Sequence, residues 1–248
     1  MKNKKMKPLV SIIVPTRNEE SVIASTLINL RKLTSVPYEI IVSDGMSTDR
    51  TVEIAREYAD IVVPHNPEWK RTIAAGRNHG AEVATGEYYL FLDADVTIHD
   101  INNFMIHAVD YFKKDKKLVG LTSFLRVHPG QATIADRLVF AAQCGLYFFM
   151  NNVLQIGTSF GEFQMVPADV FKKINGYNEN FVASEDYDLF SRLSKIGHTR
   201  MGWKLQIFHT GRRAHAIGWP KLLRLWVGNT IYNLIYRHSL SSEWEVIR

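Results

Sequence analysis

Short apolar segments alternate with helical segments through the first half of the chain, and this alternation restricts the possible folds more than any other feature. The predicted strands are Leu9–Val14, Glu39–Ser43, Ile61–Val63 and Tyr88–Leu92, and the predicted helices between them are Ser21–Lys32, Thr48–Tyr58 and Thr72–Val83. Strands joined by crossover helices form right-handed βαβ units and a mostly parallel sheet. We therefore expect an α/β protein with a mostly parallel, Rossmann-like sheet flanked by helices.

Polar residues follow three of the predicted strands, at Pro15–Asn18, Asp44–Gly45 and Asp93–Asp95. Ligands of open α/β sheets bind beyond the carboxyl ends of the strands. These segments are therefore the first candidates for a functional site.

The second half of the chain has a less regular pattern. It contains an apolar segment at Ala132–Met150, predicted strands at Gly161–Val166 and Leu205–His209, a helix at Ser184–Lys195 and a final helix at Trp219–Arg237. The pattern shows no linker and no repeat, so we expect a single domain over residues 1–248. Within it we expect a first half at about 9–125, a second half at about 126–215 and a C-terminal helix and tail at about 216–248.

The composition is that of a globular protein, since 46% of the 248 residues are hydrophobic and 22% are charged. The net charge of +5 suits phosphate-bearing ligands or an anionic membrane surface. No basic stripe with interleaved aromatic residues and no zinc-finger spacing occurs, which argues against a nucleic-acid partner.

The single cysteine, Cys144, excludes a disulfide framework and fits a reducing cytosol. It stands among apolar residues, which predicts core packing. The basic start at Met1–Lys7 precedes an apolar segment too short for a signal-peptide core, and no segment reaches the length of a membrane span. We expect a cytoplasmic protein.

Asp93 and Asp95 end an apolar strand with one small residue between them. Alternate residues of an extended chain point the same way, so the two carboxylates converge. Mg²⁺ or Mn²⁺ held by one or two carboxylates and substrate phosphates fits this pair. A solvated turn or a helix N-cap is the structural alternative.

Two other acidic positions have both a structural and a functional interpretation. Asp44 either stabilises an Asp-Gly turn or accepts a hydrogen bond from a base or ribose. The acids of Ser184–Asp188 stand at a probable helix start, where the helix dipole favours them. A carboxylate placed there could also deprotonate an acceptor hydroxyl.

Together these segments resemble the family 2 glycosyltransferases, which have the GT-A fold. The resemblance runs from about residue 9 to residue 215, and its motifs are specific in combination. They are Ile13–Glu19, Ile41–Thr51, Gly76–Gly80 with Ala84–Gly86, Phe91–Asp95, Phe171–Tyr177 and Ser184–Asp188.

The resemblance implies inverting transfer of a sugar from a nucleoside-diphosphate sugar to an acceptor hydroxyl, with a divalent cation as cofactor. It also implies that the half at about 9–125 binds the nucleotide sugar and that the half at about 126–215 is the acceptor and catalytic half. It implies a catalytic base, Asp186. It also implies donor contacts at Pro15, Thr16, Glu19, Asp44, Arg77 and Asp93, and a metal ligand, Asp95.

His209 resembles the C-terminal metal ligand of related enzymes, with a structural histidine as the alternative. Arg212 and Arg213 could neutralise the leaving diphosphate or form a membrane-facing basic patch. Asn175 replaces a glycine that the family usually has. The Gln-x-x-Arg-Trp motif of processive synthases is absent, which argues against a processive enzyme.

Two other functions share some of these features. A nucleotidyltransferase would be expected to carry a Gly-rich, Lys-bearing loop after the first strand, which this chain lacks. A non-catalytic carbohydrate-binding or scaffold domain would not need Asp93, Asp95 and Asp186 together.

The C-terminal helix is predicted to be amphipathic, with an apolar stripe at Trp219, Leu222, Leu223, Trp226, Val227, Ile231, Leu234 and Ile235. Lys221, Arg224 and Arg237 flank this stripe, which either closes the core or lies in a membrane interface. The aromatic Tyr147–Met150 segment favours membrane contact. We therefore expect a glycan or lipid-linked acceptor and peripheral attachment to the cytoplasmic face of a membrane.

Overall fold

The structure, a computed structural model, is built on a 7-stranded sheet. It describes residues 7–236, with the side chains of the last helix described as far as Asn229. The strands, numbered in chain order, are β1 Val10–Thr16, β2 Tyr38–Asp44, β3 Ile61–Val63, β4 Tyr88–Leu92, β5 Leu118–Val127, β6 Phe163–Pro167 and β7 His198–His209. Their order in the sheet is β3-β2-β1-β4-β6-β5-β7.

Helices cover both faces of this sheet. Numbered in chain order, they are α1 Ile23–Leu30, α2 Thr51–Tyr58, α3 Ile73–Glu82, α4 Ile101–Lys114, α5 Ile134–Phe149, α6 Ala168–Lys173, α7 Glu185–Leu193, α8 Arg212–Ile217 and α9 Trp219–Tyr236. A π-helical segment, Met150–Leu154, continues α5. The predicted helices of the first half are each present but shorter, because their terminal residues lie in turns.

The first four strands form the predicted parallel part of the sheet. Their apolar residues are fully buried; Ile12, Ile41 and Leu90, for example, are 0% exposed. In β1 and β2 the register pairs Thr16 with Asp44, so both strands end at the same level. The polar segments after these strands therefore share one edge of the sheet, as predicted.

The second half of the chain adds β5, β6 and β7 to the same sheet. The sequence interpretation did not identify α4 or β5, and it included only the last five residues of β7. Strand β6 runs antiparallel to β4, with Phe163 opposite Leu92. This direction reversal places Glu162 beside Asp93, whose amide donates to the Glu162 carbonyl at 3.4 Å.

One isolated bridge ties the segment after β4 to the end of β7. Thr97 and Phe208 exchange backbone hydrogen bonds of 2.8 and 3.0 Å. Asp95 and His209 are thereby brought to the same part of the sheet edge although 114 positions separate them in the sequence.

Helix α9 has the predicted position, but its predicted apolar stripe is divided between the interior and the surface. Leu222 is 2% exposed, whereas Leu223 and Val227 are 39% and 56% exposed. The Trp219 ring packs edge-on against Phe140 of α5 at 5.3 Å. Of the two alternatives for the stripe, core packing therefore applies to Leu222, which is buried, and to Trp219, which contacts Phe140.

The predicted stripe positions Ile231, Leu234 and Ile235 lie beyond the last described side chain, and Arg237 and the basic residues 1–6 lie outside the described residues. Within residues 7–236, no helix is both long and apolar enough to cross a bilayer.

Candidate active site

A buried carboxylate with a free acceptor oxygen lies at the end of β2. Asp44 is 7% exposed, and its Oδ2 accepts a hydrogen bond from the Ser47 amide at 3.0 Å. Its Oδ1 is buried and has no hydrogen-bond partner. A buried acceptor without a partner is costly, so this oxygen is suited to a ligand that brings an N–H or O–H group.

Pro15 and Thr16 lie at the end of β1, beside Asp44. Both are buried, and the Thr16 hydroxyl donates to the Ser43 carbonyl at 3.5 Å. Gly45 lies close to this strand, because a Cβ there would come within 3.2 Å of the Thr16 carbonyl oxygen. The ends of β1 and β2 thus form one compact floor.

Glu19 belongs to a loop that the β2–α2 loop holds in place. The Glu19 amide donates to Thr51 Oγ1 at 2.7 Å, and the Thr48 amide donates to Asn18 Oδ1 at 2.7 Å. The Glu19 carboxylate accepts two hydrogen bonds from the Arg212 guanidinium, at 2.7 and 2.6 Å. Two residues predicted to contact the donor separately therefore form a bidentate ion pair across the site.

Arg77 lies beneath the site rather than in it. Its side chain is 1% exposed, and the guanidinium donates to Asp93 Oδ1 at 3.0 Å and to Glu185 Oε1 at 2.7 Å. It also donates to the Gly161 carbonyl at 2.8 Å. The prediction that Arg77 contacts donor phosphates or sugar is not supported by this geometry, because the protein surrounds the guanidinium.

Asp93 and Asp95 follow β4, which ends at Leu92, and their partners differ. Asp93 binds Arg77, whereas Asp95 Oδ2 accepts from the Thr210 hydroxyl at 2.6 Å and lies 3.6 Å from Arg212 Nε. Burial raises the pKa of Asp93 to about 6; the charge of Arg77 opposes this shift and that of Asp95 adds to it. Asp95 is thus the carboxylate of the pair that lies beside β7.

His209 provides a nitrogen that can bind a ligand. Its Nε2 is buried without a hydrogen-bond partner, and its ring packs edge-on against Phe140 at 5.1 Å. Burial lowers the pKa of His209 to about 4, which keeps the imidazole neutral at pH 7.

Asp95 and His209 fit a divalent cation that also binds ligand phosphates. A neutral imidazole and a carboxylate are ordinary ligands of such ions. Among the side chains that the structure describes, no group of three or more His, Cys, Asp or Glu is placed to hold a metal. The donor set suits Mn²⁺ or Mg²⁺, since such ions are often bound through one or two protein groups and substrate phosphates.

Asp186 is the second residue of α7 and has the charge properties of a general base. Its Oδ1 accepts from the Tyr187 amide at 2.8 Å, and its Oδ2 lies 3.7 Å from the point where a Cβ on Gly161 would stand. Burial, and then the charge of Glu185, raise the pKa of Asp186 to about 7. Catalytic carboxylates work best when their pKa lies near the working pH.

The backbone before Asp186 is strained. Ser184 has a φ of 64°, a left-handed conformation that non-glycine residues adopt at a cost. Such strain is found most often at functional sites. Here it starts α7 so that Glu185 faces Arg77 while Asp186 remains half-buried at the rim.

Two contributors to this site were not assigned from the sequence. Glu162 lies near Asp93, Asp95 and Asp186, and burial, followed by the charge of Asp93, raises its pKa well above the ordinary value. Thr210 holds Asp95. Glu162 had no sequence signal, because its segment was interpreted as a plain strand. The position of Thr210, directly after His209, could have indicated its role.

The described geometry therefore brings most of the predicted site residues to one edge of the sheet. Asp44, Glu19, Asp95, His209 and Arg212 line the region, and Asp186 lies at its far side. Arg213 follows Arg212 in α8 and is half-buried. The arrangement combines an unpaired buried acceptor oxygen, a carboxylate and a neutral imidazole of the kinds that bind divalent ions, and a second carboxylate with a pKa of about 7.

Residues 11–160 match the family model described as "Glycosyl transferase family 2". A relative along most of the chain is the succinoglycan biosynthesis protein ExoA of Rhizobium meliloti, which is 28% identical over 212 residues. That match covers 75% of this chain and 58% of ExoA. The chain spans less than two thirds of the length of the curated relatives it matches.

Solved structures show the same fold at low sequence identity. The mannosyltransferase PcManGT from Pyrobaculum calidifontis, solved with GDP-Man and Mn²⁺, superimposes with a TM-score of 0.70 and 18% identity, over 95% of this chain and 66% of that one. Glucosyl-3-phosphoglycerate synthase from Mycobacterium tuberculosis, solved with Mn²⁺, UDP and glucosyl-3-phosphoglycerate, gives a TM-score of 0.58 and 19% identity, over 95% and 82% of the two chains.

Proposed function

The chain belongs to glycosyltransferase family 2 and has the GT-A fold, and on that premise we propose that it transfers a sugar from a nucleoside-diphosphate sugar to an acceptor hydroxyl, with inversion. The observation that carries the proposal is the convergence of Asp44, Asp95 and Asp186 on one sheet edge. Each has a carboxylate oxygen or a pKa suited to a different part of that reaction.

The nucleoside would bind over the ends of β1 and β2. Asp44 Oδ1 would accept an N–H of the base, which removes an unpaired buried acceptor. Pro15 and Thr16 form the floor below it. Glu19, held by Arg212, would close the side of this pocket without needing to rearrange its loop.

The divalent cation would be held by Asp95 and His209. When bound, it would supply positive charge to the donor diphosphate as the bond to the sugar breaks. Thr210 fixes the Asp95 carboxylate, and Arg212, beside Asp95, adds a guanidinium to the same region. Arg213 is the next basic residue in α8 and would extend this positive area toward the leaving diphosphate.

Asp186 would act as the general base. Its carboxylate takes the proton of the acceptor hydroxyl while the acceptor oxygen forms a bond to the anomeric carbon. The bond from that carbon to the diphosphate oxygen breaks in the same step, and the electron pair leaves with the diphosphate. A single displacement inverts the anomeric carbon.

Arg77 contributes to this step through position alone. It holds Asp93 and Glu185, and Glu185 directly precedes Asp186 in α7. We therefore assign Arg77 as a positioning residue.

The experiment that tests this function is a screen of nucleotide sugars with Mn²⁺. A ligand that binds the folded state raises Tm by mass action, so one donor should raise Tm and EDTA should remove the effect. With that donor and a panel of glycan and lipid acceptors, release of the nucleoside diphosphate reports transfer. A nucleotidyltransferase would instead release pyrophosphate, and a carbohydrate-binding domain would release neither.

A membrane-bound acceptor is part of the proposal. Exposed Leu223 and Val227 of α9, flanked by exposed Lys221 and Arg224, support peripheral contact with an anionic surface. Such contact would place the enzyme on the cytoplasmic face, where it would act non-processively on a glycan or lipid-linked acceptor. Co-sedimentation with anionic and neutral vesicles tests it, since binding should weaken in high salt. Recovery of all protein in the supernatant with both vesicle types would contradict it.

A further inference from the structure

A pocket of about 430 Å³ lies between β5 and α5, outside the site described above. Most of its lining is apolar, and Leu125, Val127, Phe140 and Cys144 within it are buried. Its volume is within the roughly 300–1,000 Å³ of small-molecule sites. A pocket with such walls is suited to a hydrocarbon group rather than a sugar.

The charges around the pocket opening are positive. Arg126 and Arg137 belong to the lining and are exposed, so their guanidinium groups lie toward solvent. The acidic residue of the lining, Asp136, is 1% exposed and already accepts hydrogen bonds from Thr133, His215 and Trp219. The opening therefore favours an anionic group.

The outer face of α5 extends the apolar surface beyond the pocket. Along this helix, every exposed residue other than Arg137 is apolar or glycine. The most exposed of the large ones, Ile134, Leu138 and Leu146, are 79%, 67% and 55% exposed. An apolar chain too long for the pocket could continue along this face, which a membrane would also cover.

The pocket is one side chain away from the candidate metal ligand. The Phe140 ring forms part of the pocket wall and lies edge-on to His209, with ring centroids 5.1 Å apart. In the β5–β7 register, Val127 stands opposite His209. A ligand bound in the pocket would thus lie next to the end of β7, at the edge of the sheet at which Asp95 lies.

We propose that this pocket binds the hydrocarbon chain of an anionic amphiphile, and that this amphiphile is the acceptor lipid. The inference rests on the proposed function for the role of acceptor, but not for the binding itself. The apolar walls hold the chain, Arg126 and Arg137 attract the anionic head group, and Phe140 separates the chain from His209.

The binding test uses dodecyl phosphate, butyl phosphate and dodecyltrimethylammonium, each below its micelle concentration, by titration calorimetry without donor or metal. Dodecyl phosphate should bind about tenfold or more tightly than butyl phosphate, because only the longer chain fills the pocket. It should also bind more tightly than the cationic amphiphile of equal chain length.

Gly145→Leu tests the pocket directly. Gly145 lines the pocket, and a Cβ there meets no atom within 4 Å, so the leucine would occupy ligand space without a clash. Affinity for dodecyl phosphate should fall about tenfold or more. Ala142→Leu places the same side chain on the exposed face of α5, outside the lining, and should change affinity by about twofold or less.

Arg137→Glu tests the charge at the pocket opening. It should weaken the binding of dodecyl phosphate and strengthen the binding of dodecyltrimethylammonium. Circular dichroism checks the fold of each variant. Gly145→Leu should keep α5 intact, because leucine is a better helix former than glycine. Equal affinity of Gly145→Leu and the intact chain, or no chain-length preference, would overturn the proposal.

A second experiment tests whether the pocket is the acceptor site, independently of how the protein uses the donor. Once a donor is known, Gly145→Leu should raise KM for a dodecyl-linked acceptor while donor hydrolysis is unchanged. If neither protein releases nucleoside diphosphate in the presence of donor and acceptor, the proposed transferase function fails, and the calorimetric result on the pocket still stands. If lipid binds but the KM is the same in both proteins, the pocket is not the acceptor site.

Discussion

The Arg77 guanidinium donates to Glu185 Oε1 at 2.7 Å, which joins α3 to the first residue of α7 across 108 positions of the sequence. The same guanidinium binds Asp93, the first acid of the pair after β4. The nucleotide-binding part of the sheet and the candidate base are thus connected by one buried cation. This connection explains why Arg77 can be fully buried, since its charge is balanced by the carboxylates of Asp93 and Glu185.

Arg77→Met should destabilise the fold strongly. The change leaves the buried carboxylate of Glu185 and that of Asp93 without their cation, and breaking a buried ion pair typically costs about 3–5 kcal/mol. The free energy of unfolding from urea titration measures it. Arg50→Met removes an exposed pair with Glu53 and should change the free energy of unfolding little, because solvent screens that pair. Similar losses in the two variants would contradict the structural role of Arg77.

Asp136→Ala should loosen the C-terminal helices. Asp136 accepts from Thr133, His215 and Trp219, so its loss removes three hydrogen bonds, at a cost of about 3 kcal/mol. Asp100→Ala, which removes an exposed N-cap of α4, should cost about 1 kcal/mol.

The stabilisation from Asp136 should depend on pH in a defined direction. Burial opposes ionisation, but hydrogen bonds from His215 and Thr133 lower the pKa of Asp136 to about 2. A lowered carboxyl pKa contributes stability above the unfolded value of about 4, and this contribution is lost as pH falls toward 2. The stability gap between the intact chain and Asp136→Ala should therefore shrink over that interval. A gap independent of pH would contradict the ionised state of Asp136.

Asp95→Asn and His209→Ala should each weaken Mn²⁺ binding in the presence of a nucleoside diphosphate. Each removes one of the two protein ligands, and the remaining one must act with the phosphates alone. Titration calorimetry measures the affinity, and His128→Ala, a nearby histidine outside the proposed ligand pair, is the control. Unchanged Mn²⁺ affinity in both variants would show that the cation does not bind at Asp95 and His209. Addition of EDTA should stop turnover of the intact protein.

Turnover should rise with pH up to about pH 7 and then level off. The carboxylate of Asp186 must be ionised to accept a proton, and burial with the charge of Glu185 raises its pKa to about 7. Because a raised carboxyl pKa destabilises the folded state above the unfolded pKa of about 4, Asp186→Asn should raise Tm at pH 8. A lower Tm at pH 8 would indicate that the ionised carboxylate has a structural partner.

The sequence predicted the sheet edge better than it predicted what lies around it. Apolar runs and their polar ends are local signals, so the positions of Asp44, Asp93 and Asp95 at strand ends followed from the pattern. The meeting of Asp95 with His209 depends on the Thr97–Phe208 bridge, a long-range pairing that no local signal indicates.

Two other features could not be predicted, for different reasons. Glu162 lies in the site because β6 pairs with β4 in the antiparallel direction. Hydrophobic periodicity does not predict the direction of a strand that follows an irregular segment. Helix α5 is apolar on nearly all sides, a pattern typical of a buried helix, yet Ile134 and Leu138 are exposed. The apolar stripe of α9 was ambiguous for the same reason, and the structure divides it between core and surface.

The most direct test of the account is donor-dependent release of nucleoside diphosphate by Asp186→Asn at saturating donor and acceptor. Asp188→Asn is the matched control, because Asp188 lies in the same turn of α7 and pairs with Arg192 instead. We expect kcat of Asp186→Asn to fall about 10²–10⁴-fold while donor affinity stays close to that of the intact chain, and Asp188→Asn to keep most of its turnover. Turnover of Asp186→Asn at the rate of the intact chain would contradict the central claim that Asp186 is the base of a glycosyl transfer.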